Sequence, residues 1–253
     1  MFLTLKHRDM KYLLSMAILI SSFNGMGQKS LPNKQTGEAK KVYLGVIISP
    51  DYDFRTLKNS DGSSSNDFVL KNRNGFEIAK LGYTAGINVC INFTNQFGLE
   101  TGLQYSNKGF KTKDNGIPHA QPDSNLLLKE KFIYRFHYID IPLKANFAFG
   151  NKNIQFISSI GLVANIFINE TQKSTIEYVN GQRIQRTEST LANYNKVGIS
   201  PMVSIGVSYK LNAKSILKIE PTFRYGIIKT ANTPIAENLW NAGLSIGYYY
   251  QLK

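Results

Sequence analysis

The sequence contains a single cysteine, Cys90, in 253 residues. No internal disulfide can form, so burial and backbone pairing must supply the stability of an exported chain. Histidine is nearly as scarce, and His7, His119 and His137 lie far apart. No metal-ligand spacing, phosphate loop or nucleophile elbow accompanies them, so no catalytic residue, metal or cofactor is expected. Long apolar runs are missing too. The one segment that approaches such a run, 12–23, is too short to span a bilayer as a helix.

That segment has another use. Lys6, Arg8 and Lys11 precede it, and Gly25 and Gly27 stand at −3 and −1 before Gln28. Residues 1–27 therefore read as a secretory signal peptide, with Met10 as an alternative start. No cysteine follows the cut, so a lipid anchor is not expected. Residues 28–41 read as a flexible segment and 42–253 as one β domain. The formal net charge is +13, and removing residues 1–27 leaves +11. An export signal and dispersed lysines exclude nucleic acid as a partner, and anionic lipid headgroups suit such a surface better.

What the chain has in abundance is alternation. From Trp240 to Leu252 every second residue is apolar, with Asn241, Gly243, Ser245, Gly247, Tyr249 and Gln251 between. Side chains alternate across a strand, so one face is greasy and one wet. Seven more segments behave alike: 42–54, 81–93, 97–108, 138–149, 154–168, 197–211 and 217–227. Two are imperfect. Ile47 interrupts the polar face of the first, and Ile157, Val163 and Phe167 interrupt that of 154–168. Short joins at 94–96, 150–153 and 212–214 alternate strictly with long ones at 56–75, 111–133, 169–194 and 230–237. This pattern predicts an all-β, eight-stranded antiparallel up-and-down transmembrane β-barrel, with short periplasmic turns and long extracellular loops. The first strand must close on the last, because a bilayer cannot satisfy a free edge.

Strand direction then assigns ends. The greasy faces place Phe54, Tyr83, Tyr105, Tyr225 and Trp240 at the outer interface. They place Phe93, Phe97, Phe147, Phe149, Tyr209, Tyr248 and Tyr250 at the inner one, forming two aromatic girdles. The wet faces carry inward glycines that suit a narrow interior. They also carry Asp51, Asp53, Lys108 and Lys210 and a lumen charge network in which Glu100, Asp140 and Glu220 oppose Lys144, Lys218 and Arg224. His137 has outward phase at the outer interface, whereas Ser106 points inward and cannot serve it as a nucleophile. The stretch 61–66 reads as a flexible loop tip.

Two stretches carry a resemblance: Gly98-Leu99-Glu100-Thr101-Gly102-Leu103-Gln104-Tyr105-Ser106-Asn107-Lys108-Gly109 and Tyr138-Ile139-Asp140-Ile141-Pro142-Leu143-Lys144. Together they resemble the PorT-like outer-membrane β-barrel family of Bacteroidota. Asp140 stands where that family more often has Glu, and the chain ends Leu252-Lys253 rather than on an aromatic residue. The resemblance implies a non-enzymatic structural or interaction protein in the outer membrane of a Gram-negative bacterium, accessory to protein secretion. Its partners would be outer-membrane lipids, including lipopolysaccharide, and secretion-apparatus proteins, around a monomeric barrel. A narrow channel for small solutes and a lipid-modifying enzyme are the alternatives.

Overall fold

The computed structural model describes residues 40–116, 127–150, 153–190 and 194–252. The signal peptide of 1–27 and nearly all of the segment 28–41 lie outside the described residues. Ten strands and one helix follow in order: β1 (Lys41–Asn59), α1 (Ser64–Phe76), β2 (Glu77–Asn92), β3 (Phe97–Thr112), β4 (Asn115–Gly116), β5 (Leu127–Phe149), β6 (Ile154–Tyr178), β7 (Arg183–Thr190), β8 (Val197–Lys210), β9 (Ser215–Tyr225) and β10 (Ile235–Gln251).

Eight of the strands form a closed antiparallel ring. β1 pairs with β2, β2 with β3, β3 with β5, β5 with β6, β6 with β8, β8 with β9, β9 with β10, and β10 returns to β1. The closing seam aligns Val46 with Tyr248 and Phe54 with Trp240. β4 and β7 are short additions that pair beyond the ring, on the outer parts of β5 and β6.

Burial in this ring inverts that of a soluble protein. On β1, Ser49, Asp51, Asp53 and Arg55 are at most 3% exposed, whereas Val46, Ile48 and Tyr52 are more than half exposed. Water could not stabilise a barrel wearing its apolar residues outside, but a bilayer can, because the hydrocarbon takes the place of a core. Among the described residues no helix is long and apolar enough to cross a membrane.

The strands run longer than the alternation alone suggests. β5 has 23 residues and β6 has 25, where about ten suffice to cross. Much of what the sequence marks as long loops is continued strand that rises above the outer girdle as a collar. The stretch 61–66, expected to be a flexible tip, instead starts α1. Ser63 caps the helix, its hydroxyl accepting from the Asn66 N–H, and Asp67 sits in the first turn.

Two of the three register shifts among the described residues lie where the collar meets the ring. One register shift lies between Ala79 and Tyr83 where β2 meets β3, and another at His137/Tyr138 where β5 meets β6. In the second, Tyr138 faces Phe167 but His137 faces Asn169, so one residue of β6 is skipped. Such a bulge flips the phase beyond it. Glu170 therefore turns inward, where a simple period of two would have placed Asn169.

Candidate functional site

The lumen is filled in layers. At its inner end Tyr43, Ile47, Cys90, Ile216 and Tyr249 form an apolar cluster. The Tyr249 ring packs against Gly45 and Gly247, and a Cβ at Gly45 would lie within 2.8 Å of three of its ring carbons. Glycine is required there by close approach.

Above that cluster the wet faces meet. Glu100 is the centre, with Lys218 at 2.9 Å and Lys144 at 3.3 Å. It also accepts from Tyr249 Oη at 2.7 Å, Asn88 Nδ2 at 2.7 Å and Asn146 Nδ2 at 2.9 Å. Lys144 reaches on to Glu220 at 3.1 Å. A second group joins Asp140 to Lys108 at 3.1 Å and to Arg224 at 3.5 Å, with Asn165 donating to Asp140 at 2.6 Å. A third joins Asp53 to Lys80 at 3.3 Å, while Ser49 and Thr84 donate to Asp51 at 2.6 Å each. The glycines opposite make room, since a Cβ at Gly82 or Gly243 would run into the Asp53 or Asp51 carboxylate.

The structure thus brings Glu100, Asp140, Lys144, Lys218, Glu220 and Arg224 into contact within the barrel, all buried. Two details differ from the expectation. Lys210, read as inward, is exposed at the inner rim, because it is the last residue of β8 and the lumen ends above it. Lys80, which the sequence reading passed over, takes an inward place beside Asp53.

The anticipated girdle residues all sit on the outer surface. Near the outer end Trp240 contacts Phe54 edge-on at 6.1 Å, and Tyr83 lies 5.9 Å from Tyr105. Tyr225 pairs with Trp240 across the β9–β10 seam. At the inner end Phe97 lies 5.9 Å from Phe93 and 5.5 Å from Phe147. Phe149, Tyr209, Tyr248 and Tyr250 are each more than 40% exposed to the surroundings of the barrel. His137 sits among the outer rings, its Nδ1 against the Tyr105 hydroxyl and its Nε2 3.0 Å from Thr171 Oγ1. Ser106 is buried inside.

The sequence reading missed the collar's interior. Phe110, Phe136, Tyr138, Phe167 and Leu239 form an apolar cluster at the outer end of the lumen. Above it Arg55 pairs with Glu77 at 2.7 Å, and Arg73, in the last turn of α1, pairs with Glu77 at 2.6 Å and Glu237 at 2.7 Å. Burial works against the Arg73 charge, but the two carboxylates hold its guanidinium above its ordinary value. Burial pushes the Glu237 carboxyl up, with Arg73 pulling the other way. It pushes Glu170 up as well, against the Tyr194 hydroxyl that donates to it at 2.6 Å. Extending the alternation past the outer girdle would have found Arg55 and Glu237. Glu170 lies beyond the bulge and could not be found that way.

Among the described residues no cluster of side chains could hold a metal ion. The cavity beside Glu100, Lys144 and Arg224 in the middle of the barrel is about 10 Å³, and two nearer its outer and inner ends are about 30 and 40 Å³. The geometry is that of a membrane-spanning barrel with a filled polar interior. Residues 41–232 match the family described as outer membrane protein beta-barrel domain, and the chain belongs to it. Among curated protein sequences none is significantly similar to this one. Among solved structures the chain is similar to the Neisserial surface protein A, at 14% identity and a TM-score of 0.45, covering 85% of this chain and 100% of that one. The attachment invasion locus protein Ail of Yersinia pestis shares 13% identity with a TM-score of 0.33, covering 83% and 97%. The outer membrane protease OmpT from Escherichia coli shares 9% with a TM-score of 0.40, covering 88% and 99%.

Proposed function

We propose that this outer-membrane barrel is a non-enzymatic structural or interaction protein of the PorT-like kind, accessory to protein secretion and exported by a signal peptide cleaved after Gly27. The filled interior supports this reading. An apolar layer at each end and ion pairs between them leave little room for a solute path, so what the protein offers its surroundings is its outer wall and its collar. Lipids, including lipopolysaccharide, contact the wall, and secretion-apparatus proteins dock on the collar or the periplasmic turns.

The test has three arms. In planar bilayers the purified barrel gives no conductance above background, and discrete openings of uniform size would restore the narrow-channel alternative. Affinity capture from native membranes recovers secretion-apparatus proteins, and repeated capture of none would count against the accessory role. Lipid A from a deletion strain has an unchanged mass profile, and a shift in that profile would favour a lipid-modifying enzyme.

A further inference from the structure

The buried charges divide into two sets. Within the spanning part, five carboxylates (Asp51, Asp53, Glu100, Asp140 and Glu220) face five cations (Lys80, Lys108, Lys144, Lys218 and Arg224), so this part is neutral. In the collar, three buried carboxylates meet the buried Arg55 and the half-buried Arg73. Glu77 engages both Arg55 and Arg73, and Glu237 engages Arg73. Glu170 is left over. It is 4% exposed, and its one partner among the described residues is the Tyr194 hydroxyl, on Oε2. A buried carboxylate without a countercharge is costly unless something supplies one.

Glu170 does not face packed protein. It lines a cavity of about 300 Å³ that opens at the outer mouth, and Arg73, Glu77 and Glu237, paired with one another, line the same space. The rings of Phe136 and Tyr194 meet there at 83° with centroids 5.5 Å apart, forming a right-angled corner, and Tyr134 lines the same space. The two collar arginines stack over Phe110. The faces of Phe136, Tyr194 and Tyr134 carry no cation among the described residues. An uncompensated carboxylate beside orthogonal aromatic faces is the chemistry that recognises an ammonium group.

We propose that this cavity binds a small organic cation, a free amine or quaternary ammonium from outside the cell, with Glu170 as its counter-charge and Phe136 and Tyr194 as its cage. This rests on the proposed function only for the orientation, with the collar facing outward.

The test is calorimetric titration of the full mature barrel in octyl glucoside, whose headgroup carries no ammonium, with choline as the probe. Choline binds saturably, and 3,3-dimethyl-1-butanol, which has the same shape without the charge, binds roughly tenfold more weakly or not at all. Glu170→Gln weakens choline roughly ten- to a hundredfold, as loss of a charged partner does. Tyr194→Leu removes one wall and weakens it several-fold. Heat-modifiable mobility on gels confirms that each variant is folded, and if Glu170→Gln is not, Tyr194→Leu decides. Three results would each overturn the proposal: no saturable heat, equal affinity for the neutral alcohol, or undiminished binding by the folded variant. Tighter binding of glycerophosphocholine than of choline would assign the site to lipid headgroups and overturn the free-ligand reading. Failure to capture secretion proteins leaves choline binding untouched, so the two readings fail separately.

Discussion

Glu100 carries more of the barrel's interior than any neighbouring charge, since two lysines, a tyrosine hydroxyl and two asparagine amides converge on it. Removing one member of a buried ion pair leaves the other desolvated and unpaired, at about 3–5 kcal/mol. Glu100→Gln is expected to lose stability on that order, because Lys218 has no other carboxylate within ion-pair distance among the described residues. Arg224→Ala is expected to lose less, since Arg224 holds Asp140 only at 3.5 Å and Asp140 keeps Lys108. Urea unfolding of the two variants in liposomes measures the order, and a larger loss for Arg224→Ala would contradict it. Gly45→Ala forces a methyl against the Tyr249 ring and is expected to cost about 1–3 kcal/mol by overpacking. An unchanged unfolding midpoint would mean that Tyr249 does not lie where it is described.

At the scale of the elements, the alternation made the eight crossing segments legible, because a sheet with lipid on one face and a polar lumen on the other has a strict period of two. The residues that break the period proved as informative as those that keep it. Ile47 belongs to the inner apolar layer and Phe167 to the outer one, so these two intrusions into a wet face mark places where the lumen is sealed, whereas Ile157 and Val163 are buried outside both layers. The collar was less legible for a physical reason. Above the bilayer both faces of a strand meet water or protein, the period fades, and a run such as 169–178 reads as loop although it is strand. The bulge at His137/Tyr138 added a phase change that nothing in the composition announces. The collar's acids also set its response to pH. Glu170 and Glu237 are held above the ordinary carboxyl value of 4.5, so the folded collar binds protons more tightly than the unfolded one. Its stability therefore rises as the pH falls from neutral through those raised values, and the gain is complete only below the ordinary value. Amide exchange in the outer parts of β6 and β10, corrected for chemical exchange, is expected to slow at mildly acidic pH. Protection that is unchanged or falls would contradict this assignment.

The molecule as a whole is a wall of strands with its greasy side outward, a neutral plug of ion pairs inside, and a collar that projects beyond the girdle. Its membrane exposure rests on one inversion, apolar residues exposed and charged residues buried, repeated around a closed ring. The chain has a single tryptophan, and it stands on the outward face at the outer girdle, packed among Tyr52, Phe54 and Phe223. This makes Trp240 a built-in depth gauge. With the protein reconstituted in bilayers of lipids brominated at defined positions along the acyl chain, its emission is expected to be blue-shifted. Quenching should be strongest for bromine nearest the headgroup and weaker toward the bilayer centre. Emission at the wavelength of a water-exposed indole, with no quenching by any of the brominated lipids, would contradict the barrel's orientation toward lipid.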